Sequence, residues 1–195
     1  MAEAKRLAPT EKELAQRCAA GDRAAQLELF EAQRRQVQHT LYRIMGSNRE
    51  MEDLAQETFI QVFRSIASFR AESSLATWVD SIAARVAFQY LSRRRAPHLS
   101  VVPEAASAGD EPERTVRARR AVRRLYLLLD RIPAKYRIAY ALHVIDGRPL
   151  HEVARIMGIR SVAAKSRVWR ARRMVHQRAA RDPLLSEFLN ETGDA

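Results

Sequence analysis

Lys165, Ser166, Trp169, Arg170 and Arg173 fall on one side of any helix that buries Ala164, Val168, Ala171 and Val175, residues repeating at helical spacing. Such a helix presents a cationic face with one exposed aromatic ring. That face fits the DNA major groove, where Arg and Lys reach guanine edges and an apolar ring can touch a thymine methyl. The preceding residues support this placement. Val153, Ala154 and Met157 lie on a short predicted helix that breaks at Gly158, Ile159 follows as a turn hydrophobe, and a second helix opens near Ser161, which is the grammar of a helix-turn-helix. A surface helix with solvated charges is the competing explanation.

Two further groups could carry recognition. Across residues 49–66 the apolar Met51, Leu54, Ala55, Phe59, Val62, Phe63 and Ile66 form one core-facing stripe, and Asp53, Gln56, Glu57, Ile60 and Arg64 lie opposite. An aliphatic residue rimmed by acids and amides repels phosphate and suits a protein partner, although lone exposed aliphatics are common. The second group is Phe69 and Arg70 in a loop, with Ser81, Arg85, Phe88, Gln89 and Ser92 on the helix that follows. Phe69 and Phe88 could stack on unpaired bases while Arg85 and Gln89 bond base edges. Trp78 is assigned to the core. No catalytic or metal constellation emerges: Cys18 stands alone, and His39, His98, His143, His151 and His176 form no cluster at ligand spacing. The expectation is a protein without enzymatic activity, metal or cofactor.

The positioning elements are helices throughout. Thr10 and Glu13 make a capping-box pattern, Gly21 and Asp22 stop one helix and cap the next, and that second helix runs to Met45 before Gly46. Asn48 can cap the third. Ser73 or Ser74 caps a fourth, which buries Leu75, Trp78, Val79, Ile82, Val86 and Tyr90 and ends in Arg93, Arg94 and Arg95 before Pro97. Residues 96–113 hold three prolines, a glycine and four acids with no Lys or Arg, the composition of an acidic flexible linker. Helices follow over about 115–131, 133–145, 149–157 and 162–180, with Pro133 and Pro149 in first turns, and Pro183 opens a short last turn.

The 195 residues allow one domain or two small ones, and no apolar run approaches the roughly 18 residues of a membrane span. The start, with Lys5 and Arg6 but no apolar core, lacks a signal-peptide pattern, so the cytoplasm is expected. Net charge is +11 and unevenly placed: residues 117–181 carry 18 basic and 3 acidic side chains, whereas residues 1–116 carry 16 of each. A segment so cationic calls for a polyanion such as nucleic acid; a solvated basic surface is the plainer alternative.

Several phrases together resemble the extracytoplasmic-function group of bacterial RNA polymerase sigma factors, which retain only regions 2 and 4 of the sigma-70 family. They are AAGDRAAQLELF from Ala19, EDLAQETFIQVFRSIASFR from Glu52, ATWVDSIAARVAFQYLSRRR from Ala76, LLDRIPAKYRIAYALHVIDGRPLHEVARIMGI from Leu128 and KSRVWRARRMV from Lys165. The resemblance implies an all-α chain of two small helical domains: a region 2 bundle over 1–95, a linker over 96–113, a region 4 helix-turn-helix over 114–182 and a tail over 183–195. By the same resemblance Asp53, Gln56, Glu57 and Ile60 would meet core RNA polymerase, through its beta and beta′ subunits. Phe69, Arg70, Arg85, Phe88 and Gln89 would read and open the −10 element, and Lys165, Ser166, Trp169, Arg170 and Arg173 would bind the −35 element. Promoter DNA and an anti-sigma factor are the other implied partners, with no small-molecule substrate. A membrane-bound anti-sigma factor would hold the chain at the inner membrane. Asp80 and Ser81 stand where many members have an aromatic and an Arg, Arg85 where one group has a base-reading Asn, and Val162 and Ala163 where Gly-Thr is usual, so promoter sequence does not transfer. The other reading of the helix-turn-helix is a LuxR-like regulator whose N-terminal half senses or dimerises.

Overall fold

The computed structural model describes residues 10–46, 50–93 and 113–192, without the side chains of 113, 114 and 188–192, and every regular element among them is helical. The caps explain most of the boundaries. Thr10 and Glu13 close the expected capping box on α1 (Glu11–Ala19), the Thr10 hydroxyl accepting from the Glu13 N–H at 3.2 Å. The Asp22 carboxylate accepts from the N–H groups of Ala24 and Ala25 at the start of α2 (Arg23–Met45). Those backbone bonds, helped by Arg17, hold its pKa below the ordinary carboxylate value. Gly46 ends α2 at φ 72°, a left-handed conformation that glycine adopts without strain.

Then come α3 (Met51–Ser65), a 3₁₀ turn (Ile66–Ser68) and α4 (Leu75–Arg93), whose first turn is capped by the Ser74 hydroxyl accepting from the Thr77 N–H. The second domain comprises α5 (Glu113–Leu129), α6 (Ala134–Tyr140), a π turn (Ala141–Ile145), α7 (Leu150–Ile156), α8 (Ser161–Ala179) and α9 (Pro183–Thr192).

Five boundary expectations change. Asn48 lies outside the described residues, and Glu50 takes the N-cap position of α3. Residue 113, assigned to the linker by composition, opens α5; the linker residues before it lie outside the described residues. Pro133 and Pro149 sit at the N-caps, one residue ahead of the first turns. The final turn is a ten-residue helix. The stretch expected as one helix over 133–145 breaks its ladder at Ala141, and the wider π turn aims the following Arg148 toward α2 and α4.

The apolar interior does not divide at the linker. One cluster joins α1–α4 to Ile138, Leu142, Val153, Ile156 and Ala164 of the second domain. A second packs Tyr126, Leu129 and Ile132 against Ala171, Val175 and Leu185. The two domains are therefore docked, with α6 and α7 packed against α4 and the π turn against α2.

Candidate protein and nucleic-acid interfaces

The acidic-aliphatic face forms on α3 because its stripe packs inward. Leu54, Thr58, Phe59 and Val62 are buried, with the Phe59 ring edge-on to Phe30 at 4.7 Å. Asp53, Gln56 and Glu57 are turned outward around Ile60, which is 37% exposed. The four expected residues therefore share one surface, on which Glu57 accepts a hydrogen bond from Gln61.

The loop and α4 group is brought together only in part. Phe69 is less open than the loop placement suggests: its ring is 9% exposed, meets Trp78 edge-on at 5.6 Å and shows only an edge to the hollow beside Arg70. Arg70, Arg85 and Gln89 are exposed, and Phe88 is 43% exposed. Arg70 lines one hollow, beside Ser73, Thr77 and Trp78. Arg85 and Phe88 line a neighbouring cleft of about 270 Å³. Ser81 and Arg155 border both hollows, and the wall of the second cleft opposite α4 is built by Ile138, Ile156 and Met157 of the other domain.

On α8, the expected inward repeat is met: Ala164, Val168, Ala171 and Val175 are all buried. Lys165, Ser166, Trp169, Arg170 and Arg173 are exposed together, Trp169 to 59%. The Arg173 guanidinium lies 5.6 Å from the Trp169 ring centre, a cation–π contact that braces both side chains. Arg170 donates to the Tyr136 hydroxyl at 3.3 Å, and this bond lowers the Tyr136 pKa. The sequence pattern did not point to Tyr136; its position beside α8 depends on the packing of α6.

Nor did it point to the polar cluster between the domains. Arg137, fully buried, donates to the carbonyls of Ile44 and Met45 at 2.8 Å each and pairs with Asp130, so a guanidinium from α6 closes the C-terminus of α2. The Tyr126 hydroxyl donates to the Arg43 carbonyl at 2.9 Å, and burial pushes its pKa up to about 12. A Cβ on Gly46 would sit 2.1 Å from the Tyr126 ring, so the close approach needs glycine as well as the turn does. A signal existed for Arg137: it interrupts the apolar run Tyr136, Ile138, Ala139, where a charge must find a partner.

Among the described residues no group of three or more His, Cys, Asp or Glu could hold a metal ion, and no helix is long and apolar enough to cross a membrane.

Comparison with known proteins identifies the two regions of the chain that carry these surfaces. The pattern of Sigma-70 region 2 matches residues 29–96 and that of Sigma-70, region 4 matches residues 122–175. The chain is 29% identical over 180 residues to the ECF RNA polymerase sigma-E factor of Haemophilus influenzae, covering 87% of this chain and 95% of that one. It is 28% identical over 188 residues to the RNA polymerase sigma-H factor of Pseudomonas aeruginosa, covering 91% and 96%. Among solved structures, CnrH in complex with the cytosolic domain of CnrY has a similar fold, with TM-score 0.61 and 20% identity over 89% of this chain and 99% of that one. So has the sigma factor RpoE in complex with the anti-sigma factor NepR from Bartonella quintana, with TM-score 0.51 and 23% identity over 77% and 91%.

Proposed function

The chain belongs to the extracytoplasmic-function group of the sigma-70 family and is an alternative sigma factor directing transcription; from that premise we propose how its surfaces divide the work. The α3 face at Asp53, Gln56, Glu57 and Ile60 docks on core RNA polymerase. Arg70, Arg85, Phe88 and Gln89 contact the −10 element as it opens, with Phe69 offering the edge of its ring beside Arg70. Lys165, Ser166, Trp169, Arg170 and Arg173 read the −35 element in the major groove. In this reading residues 1–95 are region 2, 96–112 the linker and 113–192 the region 4 domain, because α9, expected as a tail, packs Leu185 into that domain's core. The linker, acidic between basic flanks, occupies space meant for nucleic acid near the active centre and RNA exit path, and the transcript displaces it. An anti-sigma factor restrains the chain in the cytoplasm.

One observation carries most of this reading: an exposed aliphatic among acids on one domain and an exposed aromatic among cations on the other. The first repels phosphate and the second attracts it, so a single chain presents a protein-binding and a DNA-binding surface. A LuxR-like regulator shares the second surface only, and the region 2 match over residues 29–96 speaks against it.

The test mixes the purified chain with core polymerase. A holoenzyme should form and start transcripts from a subset of promoters, and Asp53→Ala with Gln56→Ala should weaken assembly while changing stability by less than about 0.5 kcal/mol. Unchanged affinity in a pull-down titration removes the α3 assignment.

A further inference from the structure

The head of α8 carries an apolar side chain that none of the roles above uses. Val162, the second residue of the helix, is 81% exposed, more than any other large hydrophobic residue among those described. The fold therefore gains almost nothing from its two γ-methyl groups, and a β-branched side chain does not favour a helix either. Its register is the informative feature. Val162 stands three and four residues ahead of Lys165 and Ser166, seven ahead of Trp169 and eleven ahead of Arg173, so it heads the same outward stripe.

This end of α8 is also bare. Arg160 at the N-cap supplies no side-chain acceptor, and no acid occupies the first turn. Backbone N–H groups left in that way suit a phosphate, and recognition helices present their N-terminal residues to the base edges. A side chain at the second position, in line with the proposed readers, is placed to meet a base.

The apolar group that a major groove offers is the 5-methyl of thymine. Two side chains of the stripe have apolar surface to set against it. The Trp169 ring already carries the Arg173 guanidinium 5.6 Å from its centre, whereas the Val162 methyls are open. We infer that Val162 is a specificity-determining residue that packs on a thymine methyl at one end of the −35 element. The inference rests on the proposed reading of that element by α8. At 1.5 Å of rise per residue, Val162 and Arg170 stand about 12 Å apart along the helix, so the thymine lies about three to four base pairs from any pair that Arg170 reads.

The experiment uses holoenzyme assembled from core polymerase and the full chain. Native holoenzyme first selects its −35 sequence from randomised duplex DNA. Each thymine of the selected element, on either strand, is then replaced in turn by deoxyuridine, which keeps the pairing edge and lacks only the methyl group. One replacement should lower native affinity about fourfold, the effect of burying a single methyl group. Val162→Ser, which removes both γ-methyls from a solvent-facing position, should bind the thymine and deoxyuridine duplexes alike, while Val162→Ile should keep the difference. A methyl preference that survives in Val162→Ser belongs to another side chain and overturns the inference, as does a selected element in which no thymine is methyl-sensitive. Those two results strike Val162 and leave the α8 reading in place; failure to select any upstream sequence strikes that reading, and the inference with it.

Discussion

α4 and α8 both carry exposed arginines and one exposed large aromatic ring, Phe88 on the first and Trp169 on the second, yet the fold surrounds them differently. α8 buries one stripe, from Ala164 to Ala179 at helical spacing, and leaves the opposite face to solvent. α4 buries Val79, Asp80, Ile82, Ala83, Ala84, Val86 and Ala87, because α2 and α3 pack on one side and α6 and α7 on another. Its small residues let those neighbours approach closely. A helix serving as the hinge-pin of two packing layers keeps only a strip for ligand, whereas a helix at the edge keeps a whole face. DNA reading by α8 should therefore be indifferent to how the domains sit, and reading by α4 should depend on it.

The strongest way to break that contrast is Arg137→Leu. The substitution strands the buried Asp130 carboxylate and leaves the Ile44 and Met45 carbonyls without their donor, a loss of about 3–5 kcal/mol. The thermal midpoint should fall, and amide exchange should quicken along α4 more than along the outer face of α8. A midpoint equal to that of the native chain would show that the α2 cap contributes nothing.

Alkali should loosen the same junction. The Tyr126 pKa is raised by burial from 10.0 to about 12, so the folded chain holds that proton more tightly than the unfolded chain does. Its contribution is intact below pH 10 and is lost as the pH rises toward 12, roughly 3 kcal/mol in all. Denaturant midpoints measured across that range should drop, and Tyr126→Phe should flatten the slope. An identical slope in the variant would assign the loss to other groups, Tyr140 first among them, whose pKa burial also raises.

Arg170→Ala sharpens the contrast from the other side. If Arg170 makes a bidentate base contact, DNA affinity should fall by about 1–3 kcal/mol with relaxed preference at one or two base pairs. Stability and α4 exchange should stay as they were. A loss equal for all sequences would mean a phosphate contact only, and no loss would count against the face.

The inward repeat of α8 and the α3 stripe are legible in the sequence because each is set by local period: a helix that must bury one side reveals the other. The capping box at Thr10 and the stops at Gly46 and Gly158, both glycines at positive φ, are local in the same way. Phe69 lacks that locality. A phenylalanine in a polar loop looks free until Trp78 is seen to receive its edge.

Chain-local information thus determined the helices, the faces they turn to solvent, the family and the unequal charge of the two halves, since each depends on residues near in sequence or on recurrent phrases. Tertiary structure alone decided which partner each buried charge takes. Asp80 stood out in the sequence only as an unusual residue in its phrase. Its meeting with Arg148, 68 positions away, depends on a π turn that redirects the chain and on two domains docking through one core. Burial makes an ion's partner a matter of geometry across the whole fold, because a charge removed from water must be matched by whatever group the packing brings within reach.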